Sequence, residues 1–282
     1  MSLTNEARVI LISGGTEGIG KAAARALAGT GATIVLVARD RAKGERVLAE
    51  LRSATDNPRL ELLEGDLSKL DDVRRVAAEF TARHERLDVL VNNAGALFSK
   101  HQLTVDGFEQ TFALDHLAVF LLTDLLRPLL ERTPGARVIT TASDAHRAGK
   151  LNLDTVATRP DGKAGFRAYG DAKMANIVFT RELARRAPNL TAYAFHPGWV
   201  WTGFALNNGG WMAAVLKTVG PWLARTPEQG ADTLVWLATS SAPPGPSGTY
   251  FTDRRAILPN RRAQDDALAR DLWELSARWV GV

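Results

Sequence analysis

The sequence predicts an α/β domain in which helices flank a doubly wound parallel sheet. Three observations support this fold: β-branched runs alternate with helix-forming segments, a glycine-rich loop follows the first run, and polar residues follow several runs directly. The chain has 282 residues with 45% apolar content, which is enough to bury one large core. We therefore expect residues 1–282 to form a single domain.

The first predicted strand leads into a loop suited to phosphate binding. A β-branched run covers residues 8–12, glycines follow at Gly14, Gly18 and Gly20, and residues 21–28 are strong helix formers. Glycines allow a tight turn and close approach of the backbone to a pyrophosphate, which then lies at the positive end of the helix. A plain turn is the alternative, but the strand before and the helix after favour a phosphate site.

The second predicted strand, residues 32–38, ends where the ribose of a dinucleotide would lie. An acidic residue there would bind the 2′-hydroxyl of NAD, whereas Arg39 carries a guanidinium that suits the 2′-phosphate of NADP(H). Asp40 leaves an alternative open, because a register change of one residue would put a carboxylate at this position. An ordinary charged turn between strand and helix is the other alternative.

Three further strand ends carry polar residues that would meet at one edge of the sheet. Asp66 follows the strand at 60–65, and its carboxylate can accept a hydrogen bond from an adenine amino group. The motif Asn92–Gly95 follows the strand at 87–91; its asparagines can join adjacent backbones, and its small residues leave room for a nucleotide. The fifth strand, residues 137–141, brings Ser143 to the same edge.

Tyr169 and Lys173 stand four residues apart near the start of a long amphipathic helical segment, so their side chains share one helix face. A phenol with an ordinary pKa of about 10 is a poor acid-base catalyst at neutral pH, but a nearby ammonium lowers that pKa by stabilising the phenolate. The pair can therefore exchange a proton with an alcohol or a carbonyl. Taken alone, this spacing is more typical of a solvated helix face.

Together these motifs resemble the short-chain dehydrogenase/reductase family, which implies a Rossmann fold. Four segments in the family's order carry the resemblance: Ser13-Gly14-x3-Gly18-Ile19-Gly20, Asn92-Asn93-Ala94-Gly95, Tyr169-x3-Lys173 and His196-Pro197-Gly198-x3-Thr202. Ser13 replaces the family's Thr. Within the family the chain is more similar to the retinol-dehydrogenase-like reductases, through the segments 142–146 and 173–179 and a long insertion at about 147–167.

The resemblance implies a role for each residue of the site. Ser143 would hydrogen-bond the substrate oxygen, Tyr169 would be the acid or base, and Lys173 would lower the pKa of Tyr169 and hold the nicotinamide ribose. The residues implied to bind the cofactor are Ser13, Gly14, Thr16, Gly18, Ile19, Gly20, Arg39, Asp66, Leu67, Asn93, Ala94, Gly95, Tyr169, Lys173, Pro197, Gly198, Val200 and Thr202.

At one implied catalytic position this chain differs from the family: the family has an asparagine there, and this chain has Asp115. If this position works through its main-chain carbonyl, holding a water against Lys173, an aspartate serves equally well and Asp115→Asn should change little. We favour this alternative. If instead the carboxylate engages Lys173, it competes for the ammonium and weakens its effect on Tyr169.

Tryptophan is confined to the C-terminal part of the chain, since all seven residues follow Gly198. In the family the region at about 199–225 forms a lid, which implies an apolar pocket built from Trp199, Trp201, Phe204, Trp211, Met212 and Trp222. Packing between helices is an equally supported alternative. The insertion at about 147–167 would form the opposite wall, and a loop of this length is typically functional or mobile. Trp236, Trp273 and Trp279 are expected in core or oligomer contacts.

Composition excludes several other classes of function. The chain has no cysteine, which rules out disulfides and thiol chemistry, and its five histidines are scattered without metal-ligand spacing. The net charge of +4 is spread along the chain and not concentrated in the basic stripe of a nucleic-acid-binding protein. No apolar run approaches the roughly 18 residues of a membrane span, and the N-terminus resembles no secretory signal. We therefore expect a cytoplasmic protein.

The expected function is NADP(H)-dependent interconversion of a lipophilic ketone or aldehyde and its alcohol. The alternatives are a reductase of imines or enones, an epimerase that uses the same Tyr and Lys, and a catalytically weak NADP-binding sensor that the departure at Asp115 would allow. The resemblance implies a homo-oligomer formed through the helices around Leu117 and Ala175, and the alternative is that the same apolar face packs on its own sheet.

Overall fold

One mixed sheet forms the centre of the molecule in the computed structural model, which describes residues 8–200 and 225–282. Its strands are β1 (Val9–Ser13), β2 (Thr33–Ala38), β3 (Leu60–Glu64), β4 (Val89–Asn92), β5 (Arg137–Thr141), β6 (Thr191–His196), β7 (Tyr250–Thr252) and β8 (Arg255–Ile257). The order across the sheet is β3-β2-β1-β4-β5-β6-β7-β8, and all pairs are parallel except β7 with β8. The predicted doubly wound topology is confirmed, and its strand order reverses between β1 and β4.

Helices cover both faces of this sheet. They are α1 (Gly18–Ala28), α2 (Arg41–Thr55), α3 (Leu70–Arg83), α4 (Gln110–Phe112), α5 (Ala118–Arg132), α6 (Phe166–Arg186), α7 (Pro227–Thr239) and α8 (Asp266–Val280). A π-helical turn, Ala113–Leu117, joins α4 to α5, and short 3-10 helices cover Asp144–Ala148 and Arg261–Gln264. In the described part of the chain, none of these helices is long and apolar enough to cross a bilayer.

The central strands are apolar throughout because both faces of the sheet are buried. Successive side chains of a strand point to opposite faces. Ile10 and Ile12 accordingly join the apolar layer under α1, α2 and α7, whereas Val9 and Leu11 join the layer under α3, α5, α6 and α8. The two layers hold the sheet rigidly, which fixes the positions of the residues that follow each strand.

The C-terminal helix α8 covers α5 and α6. Trp273, which is only 8% exposed, lies with its ring centroid 4.9 Å from that of Phe120 and stacks on Phe179 at 5.7 Å. Trp279 contacts the ring of Phe112 edge-on at 5.8 Å. The expectation that these tryptophans lie in core contacts is therefore confirmed for α8. Trp236 of α7 similarly packs against Phe251.

The apolar face considered for an oligomer contact is buried within the chain. Leu117, Ala175, Val178, Phe179 and Leu183 are each at most 2% exposed. Phe179 of this face stacks on Trp273 of α8, so a helix covers the face as well as the sheet that the alternative named, and the oligomer stays a prediction.

Candidate active site

The glycine loop brings the start of α1 close to the ends of β1 and β4. Gly14 has φ +67, and a Cβ added there would lie 2.7 Å from the Cα of Ala94. A Cβ at Gly20 would clash with the carbonyl oxygen of Gly14. Because Gly18 and Gly20 belong to the first turn of α1, that helix begins three residues before the position at which the sequence predicted it.

Ser13 and Asn93 join three neighbouring strands at the point where the strand order reverses. The Ser13 hydroxyl donates to the carbonyl of Val91 at 3.3 Å and accepts from the backbone N–H groups of Asn93 and Ala94 at 3.0 and 3.1 Å. The Asn93 amide donates to the Gly14 carbonyl at 3.1 Å and accepts from the Thr141 hydroxyl at 3.2 Å. The asparagine motif thus cross-links backbones, as its sequence predicted.

The end of β2 places an arginine at the predicted ribose position. The strand ends at Ala38, and the side chain of Arg39 is exposed. Asp40 caps α2 instead, because its carboxylate accepts a hydrogen bond from the Lys43 N–H at 2.9 Å. The structure therefore has the arginine, and not this carboxylate, at the position directly after β2.

The carboxylate of Asp66, which follows β3, takes part in a local turn. Asp66 accepts hydrogen bonds from the N–H and the hydroxyl of Ser68, at 3.1 and 2.8 Å, through the same oxygen. Its own N–H donates to Asp72 at 2.8 Å, and Leu67 is buried beside it. Asp66 thus lies at the predicted edge of the sheet, with one carboxylate oxygen already engaged in the chain.

The predicted catalytic side chains come together at the start of α6. Lys173 lies one turn after Tyr169, with its Nζ 5.2 Å from the centroid of the tyrosine ring. The Ser143 hydroxyl, two residues after the end of β5, interacts with the Tyr169 phenol. Burial raises the pKa of Tyr169 above its ordinary value. Lys173 and, more weakly, Ser143 lower this pKa, whereas Asp115 raises it further.

Asp115 lies in the π-helical turn, and its side chain contacts Lys173 directly. One carboxylate oxygen is 2.9 Å from the Lys173 Nζ, and the other accepts a hydrogen bond from the N–H of Ala96 at 2.8 Å. Both side chains of the ion pair are almost completely buried. The side-chain contact of the second alternative is therefore present, while the role of the main-chain carbonyl at this position stays a prediction.

The segment after β6 turns sharply where the sequence predicts a cofactor contact. Gly198 has φ +82, and a Cβ there would lie 2.7 Å from the Cδ of Arg225, which pairs with Asp253. Pro197 and Val200 flank this turn, and Trp199 is 52% exposed. The other residues predicted here lie outside the described ranges: Trp201, Thr202, Phe204, Trp211, Met212 and Trp222. The apolar lid stays a prediction.

The insertion is anchored to α6 by a buried aspartate that sequence reasoning missed. Asp171 accepts hydrogen bonds from the N–H groups of Lys150 and Leu151, at 2.5 and 2.7 Å, and forms an ion pair with Arg159. The side chains of the pair are 5% and 6% exposed. Leu151 and Val156 are buried in the core, so much of the segment at 147–167 is held firmly.

His146 was also missed, although it belongs to the Ala-Ser-Asp-Ala-His segment that carries part of the family resemblance. Its Nε2 lies 3.2 Å from the N–H of Asn260, which can only donate. Its Nδ1 must therefore carry the proton and donate to the carbonyl of Ser143 at 2.7 Å. A neutral, buried histidine thus fixes the turn that presents Ser143, and burial keeps its pKa below the ordinary value.

The predicted cofactor residues within the described ranges follow the strands β1, β2, β3, β4 and β6, or lie at the start of α6. Because the carboxyl ends of parallel strands meet at one edge of a sheet, these residues line a single edge together with Ser143. Across residues 8–200 and 225–282, no group of His, Asp and Glu side chains is arranged to hold a metal ion.

Comparisons with known proteins agree with this geometry. A family model described as short chain dehydrogenase matches residues 8–212. The chain is 40% identical to a candidate daunorubicin C-13 ketoreductase from Streptomyces sp. (strain C5), over 97% of this chain and 93% of the relative. It is 36% identical to mouse retinol dehydrogenase 12, over 98% and 87%. A Pseudomonas aeruginosa RhlG/NADP active-site complex superposes with a TM-score of 0.68 and 26% identity, covering 86% of this chain and 93% of the other.

Proposed function

We propose that this chain, which belongs to the short-chain dehydrogenase family, is an NADP(H)-dependent oxidoreductase that interconverts a lipophilic ketone or aldehyde and its alcohol. The observation that carries the proposal is the meeting of Tyr169, Lys173 and Ser143 beside the glycine loop. The names of two relatives, a ketoreductase and a retinol dehydrogenase, support a carbonyl or alcohol substrate with a substantial apolar part.

The residues at the switch point fit a phosphorylated dinucleotide. The side chain of Glu17 does not cap the first turn of α1, so the N–H groups of that turn remain suited to a pyrophosphate. The exposed guanidinium of Arg39 suits a 2′-phosphate. In the proposed complex the loop at 13–20 holds the pyrophosphate, Asp66 and Leu67 lie by the adenine, and Lys173 holds the nicotinamide ribose.

Each catalytic side chain has one task in the proposed reaction. Bound NADPH supplies the hydride that reduces the carbonyl carbon. The Ser143 hydroxyl donates a hydrogen bond to the substrate oxygen, and the Tyr169 phenol gives its proton to that oxygen. The Lys173 ammonium stabilises the phenolate that remains. In the oxidising direction the Tyr169 phenolate accepts the proton of the alcohol.

The substitution Tyr169→Phe tests this proposal. Removal of the phenol oxygen should lower kcat by at least about a hundredfold, equivalent to ~2.7 kcal/mol of barrier, while NADPH binding stays nearly unchanged. The measurement is NADPH oxidation, followed by absorbance, with a panel of ketones and aldehydes, and NADPH binding by fluorescence titration.

Tyr193→Phe is the matched control, because it removes the phenol oxygen of a tyrosine on β6 that donates to the Gly245 carbonyl. It should keep wild-type turnover. Retention of more than a tenth of the activity in Tyr169→Phe would show that Tyr169 is not the proton donor. NADPH binding without oxidation by any carbonyl compound would favour the sensor alternative.

A further inference from the structure

We propose that Asp115 is a positioning residue that draws the Lys173 ammonium toward itself and thereby biases the site toward carbonyl reduction over alcohol oxidation at neutral pH. The inference rests on the proposed function for its direction of reaction. Its structural part rests on the contact between the two side chains alone.

The contact between Asp115 and Lys173 has the geometry of an ionised pair. One carboxylate oxygen lies 2.9 Å from the Lys173 Nζ in an ion-pair contact, and the other accepts a hydrogen bond from the N–H of Ala96 at 2.8 Å. Burial raises the pKa of Asp115, and the adjacent Lys173 ammonium opposes that rise by stabilising the carboxylate. With side chains 0% and 3% exposed, the pair is shielded from water and salt.

The backbone of Gly95 leaves space for this pair. A Cβ at that position would lie 2.8 Å from the nearer carboxylate oxygen of Asp115 and 3.0 Å from the Lys173 Nζ. The ammonium and the carboxylate therefore meet directly beside the strand end that forms part of the proposed nucleotide site. The same ammonium lies 5.2 Å from the ring centroid of Tyr169, so its charge acts on both partners.

The polar groups that face Tyr169 come from several elements. Lys173 on α6 and the Ser143 hydroxyl after β5 lower its pKa, while Asp115 in the π-helical turn raises it. Tyr250 on β7 interacts with Tyr169, and Glu109 before α4 interacts with Asp115. Burial alone would lower the pKa of Lys173, but Asp115 and Tyr169 raise it, so the lysine stays charged.

The ion pair has opposite consequences for the two directions of reaction. Reduction needs the protonated phenol, and oxidation needs the phenolate. Because Asp115 offsets part of the ammonium's charge, Tyr169 holds its proton to higher pH than it would beside Lys173 alone. Reduction therefore continues into the alkaline range, and oxidation becomes appreciable only there.

Asp115→Asn tests the proposal in the protein without cofactor or substrate. The chain has only three tyrosines, so labelling with ζ-13C-tyrosine gives three signals, and Tyr169→Phe identifies the one to follow. The pKa of Tyr169 should fall by about one unit in Asp115→Asn. In the active enzyme, kcat/KM for alcohol oxidation at pH 7 should rise by about tenfold. The pH above which the rate of carbonyl reduction declines should fall by about one unit.

Glu109→Gln is the matched control. Its carboxylate is buried on the neighbouring element and accepts from the Phe112 N–H, yet it does not contact Lys173. The control should leave the Tyr169 titration unchanged. An equal shift in both variants, or none in Asp115→Asn, would overturn the proposal.

The wild-type protein supplies a second test that does not depend on how a variant folds. A Tyr169 pKa well below the ordinary value of about 10 in the cofactor-free protein would show that Lys173 acts undiminished, and would overturn the proposal. If the titrations behave as expected but no carbonyl is reduced, the proposed function and the directional bias fail, while the contact stands.

Discussion

Arg39 is the residue on which our proposed preference for NADP(H) depends. It is the first charged residue after β2, and its side chain is exposed at the edge of the sheet. Arg39→Ala should raise KM for NADPH by at least about tenfold, because a charge-assisted hydrogen bond is worth roughly 1.5–3 kcal/mol. It should leave KM for NADH nearly unchanged, because NADH has no 2′-phosphate. Steady-state kinetics with both cofactors measure this.

Arg41→Ala is the control for Arg39→Ala, since Arg41 is an equally exposed arginine that faces Glu45 and Glu64 at 3.7 Å. It should change neither KM. If Arg39→Ala weakens both cofactors equally, the arginine acts on the fold of the turn. A native preference for NADH would contradict the assignment.

The sequence predicts those side chains whose position is fixed by the local chain. Gly14 is predictable because its turn needs a positive φ, and Tyr169 with Lys173 because four residues make about one helical turn. The partner of Asp115 is not predictable in this way. It depends on how the π-helical turn faces α6, which only the packed structure determines.

A buried polar network joins the π-helical turn to three other elements. The amide of Asn176 on α6 donates to the Thr141 carbonyl of β5 at 3.2 Å, so its oxygen faces the Nδ1 of His116 at 3.3 Å and must accept. The Ser276 hydroxyl of α8 lies 3.0 Å from the other ring nitrogen, which then accepts. His116 is therefore neutral, and burial lowers its pKa to about 4.

This network should make the fold sensitive to acid. The pKa of His116 is about 4 in the folded protein and about 6.5 when unfolded, so the unfolded state binds a proton first as the pH falls. The contribution of His116 to the free energy of unfolding is fully present above about pH 6.5. It falls by roughly 3 kcal/mol as the pH decreases toward 4. Urea unfolding at pH 7.5, 6 and 5 measures the loss.

His116→Gln should flatten that dependence, although it lowers stability at pH 7.5, because glutamine does not titrate. His101→Gln, at a surface histidine that contacts the Thr158 carbonyl, should retain the wild-type dependence. An unchanged slope in His116→Gln would show that the acid sensitivity arises elsewhere, His146 and His196 being the other histidines whose pKa burial lowers.

For the whole molecule, α8 completes the core on one side of the sheet. Trp273→Ala should lower the free energy of unfolding by about 3–5 kcal/mol, because it removes a ring packed between Phe120 and Phe179. Trp236→Ala is the matched control. Trp236 is half-buried and, among the described residues, its ring contacts that of Phe251 alone, so its cost should be clearly smaller. Urea unfolding of both variants measures this, and equal losses would contradict the role given to α8.

The overall topology was predictable because regular alternation of strands and helices leaves few ways to form a parallel sheet. The β7–β8 hairpin was not predicted, because strands of three residues are too short to show a periodic pattern. That α8 covers α5 and α6 was left open as well. The apolar face of α6 is equally suited to a partner chain or to its own, and the sequence does not distinguish them.

The anchoring of the insertion to α6 bears on how new substrate specificities arise by recombination. A replacement loop at 147–167 without an arginine at position 159 would leave the Asp171 carboxylate, in the helix of Tyr169, without its ion-pair partner. A buried charge without its partner costs about 3–5 kcal/mol, so such a chimaera would lose much of its stability before its activity could be selected. The loop and position 171 therefore have to be exchanged together whenever the new loop lacks the arginine.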